Sequence, residues 1–377
     1  MACMDNGASS VERALIRRAK EKKVPINGSL ELLPLCNMNC DMCYVRLSRE
    51  EMEQRGRLRT ADEWLEIGRQ MKDAGVLFLL LTGGEPLLFP DFKRLYHELR
   101  SMGFILTINT NGTMIDEEWA AFFGQNPPRR INITLYGADE KDYEKLCHYP
   151  GGFAKTVRGV RLLREHGIDV KISFSVTKAI RQSMGRVFSV GEELQVPVHI
   201  DPYMMPAVRE RSRPFSEQAR VLPEDAAAAS LEALKLQFPR EIYNQYVEQA
   251  IARVEDPDFP RGDGHVSCLA GTCSFTINWQ GQMRPCVILS EPSVSVFEKD
   301  FAAAWEEITA ATQSLRIPGK CTECRYKPVC KVCVAACLLE TESRLIYVYL
   351  RYDGIPEYLC RYSEEYVRLL KEEWHRR

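Results

Sequence analysis

Leu30-Glu-Leu-Leu33-Pro-Leu-Cys36-Asn-Met-Asn-Cys40-Asp-Met-Cys43 decides the reading of this chain: an apolar run breaks at a proline and is followed by three cysteines. The run Leu30–Leu33 fits a buried strand, and loops that leave the carboxyl ends of parallel strands gather functional groups. Three thiolates fall one short of the four that close a structural zinc site. A [4Fe–4S] cluster tolerates three and leaves one iron open to an outside chelator. On spacing alone, a zinc knuckle completed by a distant residue is the alternative.

Outward from this loop, apolar runs alternate with helical stretches. Strands are expected at Leu30–Leu33, Val76–Thr82, Phe104–Asn109, Ile131–Leu135, Val170–Val176 and Val198–Ile200. Thr60-Ala-Asp-Glu63 is a capping box, and Asp91 and Asp116 precede helical runs. Gly75, Gly103 and Gly167 each close a helix before a strand. This alternation predicts an α/β fold with a parallel sheet, closed or partly closed into a barrel. The expected organisation is a capping helix in 1–27, the barrel in 28–212, a helical linker in 213–261 and a cysteine-rich domain in 262–377.

The chain has 377 residues, of which 45% are apolar and 27% charged, enough for a barrel plus a second domain. A net charge of -2 gives no global attraction to nucleic acid or anionic membranes. The longest apolar run, Val76–Leu81, is too short to span a bilayer, and the N-terminus has no secretory pattern. A cytoplasmic location is therefore expected, where thiols stay reduced. The 14 cysteines are then ligands before they are disulfides. Nine of them fall between Cys268 and Cys360, including Cys321-x2-Cys324-x5-Cys330-x2-Cys333. Two zinc ribbons or two iron–sulfur clusters both satisfy that count.

Two further motifs end the second and third strands. Leu81-Thr-Gly83-Gly84-Glu85-Pro86 offers glycines that allow close backbone approach and a carboxylate acceptor for an ammonium. Asn109-Thr-Asn111-Gly112 offers short hydrogen-bonding side chains, or a plain Asn-Gly turn.

CNMNCDMC, LTGGEP and the order of the strands resemble the radical S-adenosylmethionine (SAM) superfamily over residues 28–205. The resemblance implies a partial (β/α)6 TIM-like barrel with a [4Fe–4S] cluster on Cys36, Cys40 and Cys43. SAM would chelate the open iron and yield a 5′-deoxyadenosyl radical that takes a hydrogen from the substrate. Met42 would lie near adenine and Glu85, within Gly83-Gly84-Glu85, would take the SAM amino group. Thr134, Tyr136 and Ser175 match positions that meet ribose or methionine carboxylate, and Asn109 and Asn111 join this cofactor-binding set.

The later cysteines, with Gly281 five residues before Cys286 and an isolated Cys360, are similar to the SPASM extension of peptide- and protein-maturing members. That resemblance implies two auxiliary [4Fe–4S] clusters. The first would use Cys268, Cys286, Cys273 and Cys333, with Cys337 as its alternate. The second would use Cys321, Cys324, Cys330 and Cys360. The chain departs from the commonest pattern, which puts three residues between the third and fourth cysteines where Cys330 and Cys333 are separated by two.

The function so implied is oxidative maturation of a ribosomally made peptide, by crosslinking or residue oxidation. A flavodoxin or ferredoxin would supply electrons. The 35 residues before Cys36 are too few for a leader-binding domain, so a leader peptide would need a separate leader-peptide-binding protein or another surface of this chain. Dehydrogenation of a small metabolite and a sulfatase-maturing activity are alternatives. Val287-Ile-Leu after Cys286 lacks the acidic base of the sulfatase-maturing enzymes. Asp201, Tyr203, Arg209, Arg211 and Arg213 follow the sixth strand and offer contacts to an acidic peptide, or a solvated loop. His199 is read as structural and Cys147 as incidental.

Overall fold

The computed structural model describes residues 10–206, 209–211, 217–340 and 354–376. Six strands run parallel: β1 (Asn27–Glu31), β2 (Phe78–Thr82), β3 (Ile105–Thr110), β4 (Arg130–Thr134), β5 (Val170–Ser175) and β6 (Val198–Asp201). Helices α1 (Ser10–Lys22), α2 (Arg49–Arg55), α3 (Ala61–Asp73), α4 (Phe92–Ser101), α5 (Glu117–Gln125), α6 (Glu140–Cys147), α7 (Gly152–Glu165) and α8 (Met184–Glu193) precede or connect them. Helices α9 (Pro223–Gln237) and α10 (Arg240–Glu255) follow β6. The remainder holds β7 (Ser274–Ile277), β8 (Gln282–Arg284), β9 (Val294–Ser295), α11 (Phe301–Gln313), α12 (Gly319–Thr322), α13 (Val334–Glu340) and α14 (Glu357–His375).

The sheet order is β6-β5-β4-β3-β2-β1-β7-β8-β9. β7 pairs parallel with β1, Asn27 facing Ser274 and Leu30 facing Ile277, so the cysteine-rich domain extends the barrel's own sheet. The apolar run placed the first strand too late. β1 begins at Asn27 because Gly28 lies under the Phe275 ring, which a Cβ there would approach to 2.3 Å. Local pattern cannot register a partner almost 250 residues away.

Capping follows the sequence at two of three sites. Thr60 and Glu63 form the reciprocal box, and Asp116 accepts from the Trp119 amide. Asp91 does not cap: its φ is 57°, and its side chain makes no cap bond. One apolar core runs from the barrel through Phe275, Phe301 and Trp305 to Tyr362, Tyr366 and Leu370 of α14. Helices α9 and α10 pack on α14. Among the described residues, no helix is long and apolar enough to cross a membrane.

Alternate strand residues point to opposite faces. On β4 and β5, Ile131, Ile133, Val170, Ile172 and Phe174 are buried in the core. Asn132, Thr134, Lys171, Ser173 and Ser175 occupy the other face and keep solvent access. β6 continues this pattern, with Ile200 buried and His199 and Asp201 exposed. In register, Asn109 pairs with Asn132, Thr134 with Ser173 and Ser175 with Asp201. The interior of the sheet is thus polar and leads to the carboxyl ends of the strands.

Candidate active site

The cysteine loop leaves β1 and is fastened on both sides. Gly84 N–H donates to Leu33 O at 2.7 Å, and Glu85 N–H donates to Leu35 O at 2.9 Å. A Cβ on Gly84 would stand 2.2 Å from Leu35 O, and one on Gly83 would stand 2.5 Å from Leu33 O. The paired glycines therefore admit the cysteine loop's own backbone, a role sequence alone assigned to ligand approach. On the other side, Asn39 N–H donates to Cys147 O at 3.1 Å and Asp41 N–H to Leu146 O at 2.9 Å. His148 Nε2 lies 3.0 Å from Asp41 Oδ1.

Glu85 is fully buried. Its carboxylate accepts from Thr110 Oγ1 at 2.7 Å, Asn111 N at 2.9 Å and Leu87 N at 3.1 Å. Burial pushes its carboxyl up to about 7, against the pull of those donors. Two oxygens carry about four lone-pair sites, so one acceptor site is left. Asn111 Nδ2 donates to Asn37 Oδ1 at 2.8 Å, and Asn37 Nδ2 donates to Thr113 Oγ1 at 2.9 Å, tying the third strand to the cysteine loop. Asn109 lies deeper, accepting from Asn132 Nδ2 at 2.8 Å. Thr134 and Ser175 line the polar interior. Met42 is half-buried against the core.

Cys36, Cys40 and Cys43 are all free thiols. The Cys36 sulfur accepts from Met38 N–H at 3.4 Å, and the Cys43 sulfur accepts from Arg46 N–H at 3.3 Å. Burial drives Cys36 up to about 12 and also raises Cys43. Cys40 is raised first by its hydrogen bond with Cys147 and then by burial, while the Tyr136 hydroxyl opposes the shift. Cys147, treated as incidental in the sequence, is therefore packed on a loop cysteine. Tyr136 faces the Cys40 thiol as well. Neither contact has a signature in local spacing.

The later cysteines form two groups. Ionisation of Cys286 and of Cys333 is opposed by Cys268, and Cys333 also feels Cys286. Cys321, Cys330 and Cys360 all feel Cys324, and Cys360 also feels Cys321 and Cys330. Cys337 sits between the groups, hydrogen-bonded with Cys321 and sensing Cys333. Cys273 is buried apart, against Ala19, Ile26 and Phe78, and of the other cysteines it senses Cys268.

Among the described residues, no three Cys, His, Asp or Glu side chains converge on one point as a single bound ion requires.

Of the described residues after β6, Tyr203, Arg209 and Arg211 are bonded within the protein. Arg209 Nη1 and Nη2 donate to Glu31 Oε1 and Oε2 at 2.8 and 2.7 Å, and Nη1 donates to Val287 O at 2.9 Å. Tyr44 lies 5.2 Å beneath this guanidinium and feels both Cys43 and Cys286. Arg211 donates to Cys40 O at 3.2 Å, and its amide donates to Tyr44 O at 3.1 Å. Tyr203 is buried and donates to Glu340 at 3.0 Å, while Arg220 holds Glu340 with two 2.7 Å bonds. Arg209 and Tyr203 thus tie the segment after β6 to the cysteine-rich region. Arg213 lies outside the described residues.

The sequence profile of the radical SAM superfamily matches residues 30–178. An AdoMet-dependent heme synthase of Methanosarcina barkeri is 25% identical over 84% of this chain and 93% of its own. A cysteine-type anaerobic sulfatase-maturating enzyme of Clostridium novyi is 24% identical over 78% of this chain and 84% of its own. Streptococcus suis SuiB, solved with precursor peptide SuiA, superposes at a TM-score of 0.64 and 18% identity, over 91% of this chain and 81% of that one. The enzyme anSMEcpe with bound AdoMet superposes at 0.65 and 18% identity, over 92% and 94%. With the cysteine loop, the GGEP turn and the parallel sheet in place, residues 30–178 match the radical SAM superfamily, and a cysteine-rich carboxyl-terminal region follows them.

Proposed function

We propose that the chain oxidises a peptide, leaving a crosslink or an oxidised residue, by abstracting a substrate hydrogen at the mouth of the barrel. Cys36, Cys40 and Cys43 would hold the [4Fe–4S] cluster, and the free acceptor site on Glu85 would take the SAM amino group. Met42, Gly83, Gly84, Asn109, Asn111, Thr134, Tyr136 and Ser175 would frame the rest of the cofactor. When bound, the cluster and SAM supply a 5′-deoxyadenosyl radical. A net oxidation then needs a sink for one further electron. Cys268, Cys286 and Cys333 would hold one auxiliary cluster, with Cys273 or Cys337 or an open iron in fourth place. Cys321, Cys324, Cys330 and Cys360 would hold the other.

The observation that carries this reading is the placement of the Cys286 segment. Arg209 fastens it to β1, and the Tyr44 hydroxyl feels both Cys43 and Cys286. A cluster held by Cys286 would then offer an electron acceptor on the Cys43 side of the barrel, as an oxidative maturase requires and a simple hydrogen-transfer enzyme does not. A fold shared with SuiB in its complex with a precursor peptide supports a peptide as substrate. A second reading, oxidation of a carboxylate-bearing tetrapyrrole, is favoured by the heme synthase relative, which matches across most of both chains. A formylglycine-forming reaction is less suited, because Val287, Ile288 and Leu289 follow Cys286 where an acidic base is needed.

The test is anaerobic reconstitution. About twelve irons per chain are expected, four for each of three clusters, with 5′-deoxyadenosine formed on adding a reductant such as flavodoxin. Alanine at Cys36, Cys40 and Cys43 together should abolish SAM cleavage and leave about eight irons. Zinc in place of iron, or no cleavage by the loaded enzyme, would overturn the reading. Deuterium transferred from a labelled peptide encoded nearby into 5′-deoxyadenosine would identify the substrate as peptide.

A further inference from the structure

β6 ends the sheet, and one of its edges is unpaired. Ile172 N–H donates to Pro197 O and Val176 N–H to Asp201 O, each at 2.9 Å, so Pro197, His199 and Asp201 turn their main chains toward β5. In a parallel ladder the intervening residues turn theirs the other way. The N–H and C=O groups of Val198 and Ile200 therefore point out of the sheet. Among the described residues, no hydrogen bond reaches those groups. A row of unpaired main-chain donors and acceptors is a template for another extended chain.

Both faces beside this edge have room. On the polar face, solvent access rises from the half-buried Thr134 and Ser175 to the exposed His199 and Asp201, so the barrel opens beside β6. On the helix side, Val196, Pro197 and Val198 line a cavity of about 280 Å³ with Phe188 of α8 and Phe238 after α9. Pro197 and Pro202 bound the strand. Proline cannot donate to a ladder, so pairing is confined to the few residues between them. That suits a short extended segment better than the edge of a second sheet.

We propose that β6 takes up the substrate peptide as an added strand, main chain to main chain, at the opening of the barrel. The proposal rests on the peptide reading above and adds how the peptide is held. Alternate side chains of an added strand point to opposite faces. One set enters the polar interior toward Thr134 and Ser175, where the hydrogen would be abstracted, and the other turns to the apolar cavity. The ligand so recognised is an extended segment with apolar residues at every second position and no proline among the paired ones.

Hydrogen exchange at single-residue resolution, read by mass spectrometry on the reconstituted enzyme, reports these amides directly. In the free enzyme Val198 and Ile200 should exchange fast, while His199 and Asp201, bonded to β5, exchange slowly. The probe is a labelled peptide of alternating valine and threonine between lysine ends. At nine-tenths occupancy it should slow Val198 and Ile200 roughly tenfold, because only the unbound enzyme still exchanges there. Methylating the peptide's amide nitrogens one at a time should weaken binding, followed by fluorescence anisotropy, roughly five- to tenfold at alternate positions and little between them. Val198→Pro removes an outward N–H and leaves the bonds to β5, so it should weaken the peptide similarly with iron content and peptide-free SAM cleavage unchanged. Slow exchange of Ile200 in the free enzyme would overturn the proposal: the edge is then filled by this chain, or by a second copy if the protection fades on dilution. Bound peptide that leaves both amides unprotected, or methylation effects without alternation, would overturn it as well. Deuterium transfer from a peptide into 5′-deoxyadenosine in those cases would leave the peptide reading standing.

Discussion

Replacing Glu31 with Gln tests whether a buried ion pair fastens Arg209, which also holds the Val287 carbonyl, to β1. Glu31 and Arg209 have side chains only 2% and 3% exposed, so both charges depend on each other for solvation. Breaking a buried pair by removing one partner costs about 3–5 kcal/mol, because the remaining charge stays buried. Glu210 lies 3.6 Å from the same guanidinium and offers partial compensation, which places the expected loss near the lower bound, about 3 kcal/mol. Arg209 Nε already lacks a partner, so the guanidinium has little slack. The assay is anaerobic urea unfolding of cluster-free protein, with the midpoint falling at unchanged slope. Methionine at both positions removes the charges together and should recover most of the loss. The reasoning fails if Glu31→Gln costs less than about 1 kcal/mol, the range of an exposed pair, or if the double variant is no better than the single.

Other predictions follow from the same loops. Glu85 has an ordinary carboxyl pKa of 4.5 when unfolded and about 7 when folded. The folded protein therefore keeps a proton that the unfolded chain loses, and stability falls as pH rises through that window, by about 3 kcal/mol in all. Glu85→Gln cannot titrate, so its stability relative to wild type should improve by that amount between these pH values. A constant difference across the range would show Glu85 ionised throughout. Gly84→Ala places a methyl against Leu35 O and should cost more than about 3 kcal/mol; thermal unfolding with an iron assay checks it, and retention of the full iron complement at wild-type stability would contradict it. Cys147→Ala should keep the first cluster's iron while destabilising the protein by about 1 kcal/mol. Loss of roughly four irons in that variant would instead make Cys147 essential to the site.

Much of the barrel was legible because its strands are continuous apolar runs separated by strong helix starts. Ile131, Val170 and Val198 fall at or next to observed strand beginnings. Long-range packing was not legible. Asn27-Gly28-Ser29 has weak strand propensity and is a strand because Phe275 and β7 lie beside it. Tyr203 and Arg209 look like surface residues in sequence, and only the fold supplies Glu340 and Glu31 as partners. Cys147 belongs to the site through the end of α6, far along the chain from Cys40. Asp91 carries the usual helix-start residue type, but its left-handed backbone turns the side chain away from the cap.

The pairing of β7 with β1 also limits how the chain can be cut. Ending the protein at residue 261 would appear to free a complete six-stranded barrel. It would instead uncover the outer amides and carbonyls of β1, which now bond to β7. A bare parallel edge is a template for association between copies. The isolated barrel should therefore aggregate, and grafting a foreign cysteine-rich domain onto it would succeed only if the graft brought its own β7.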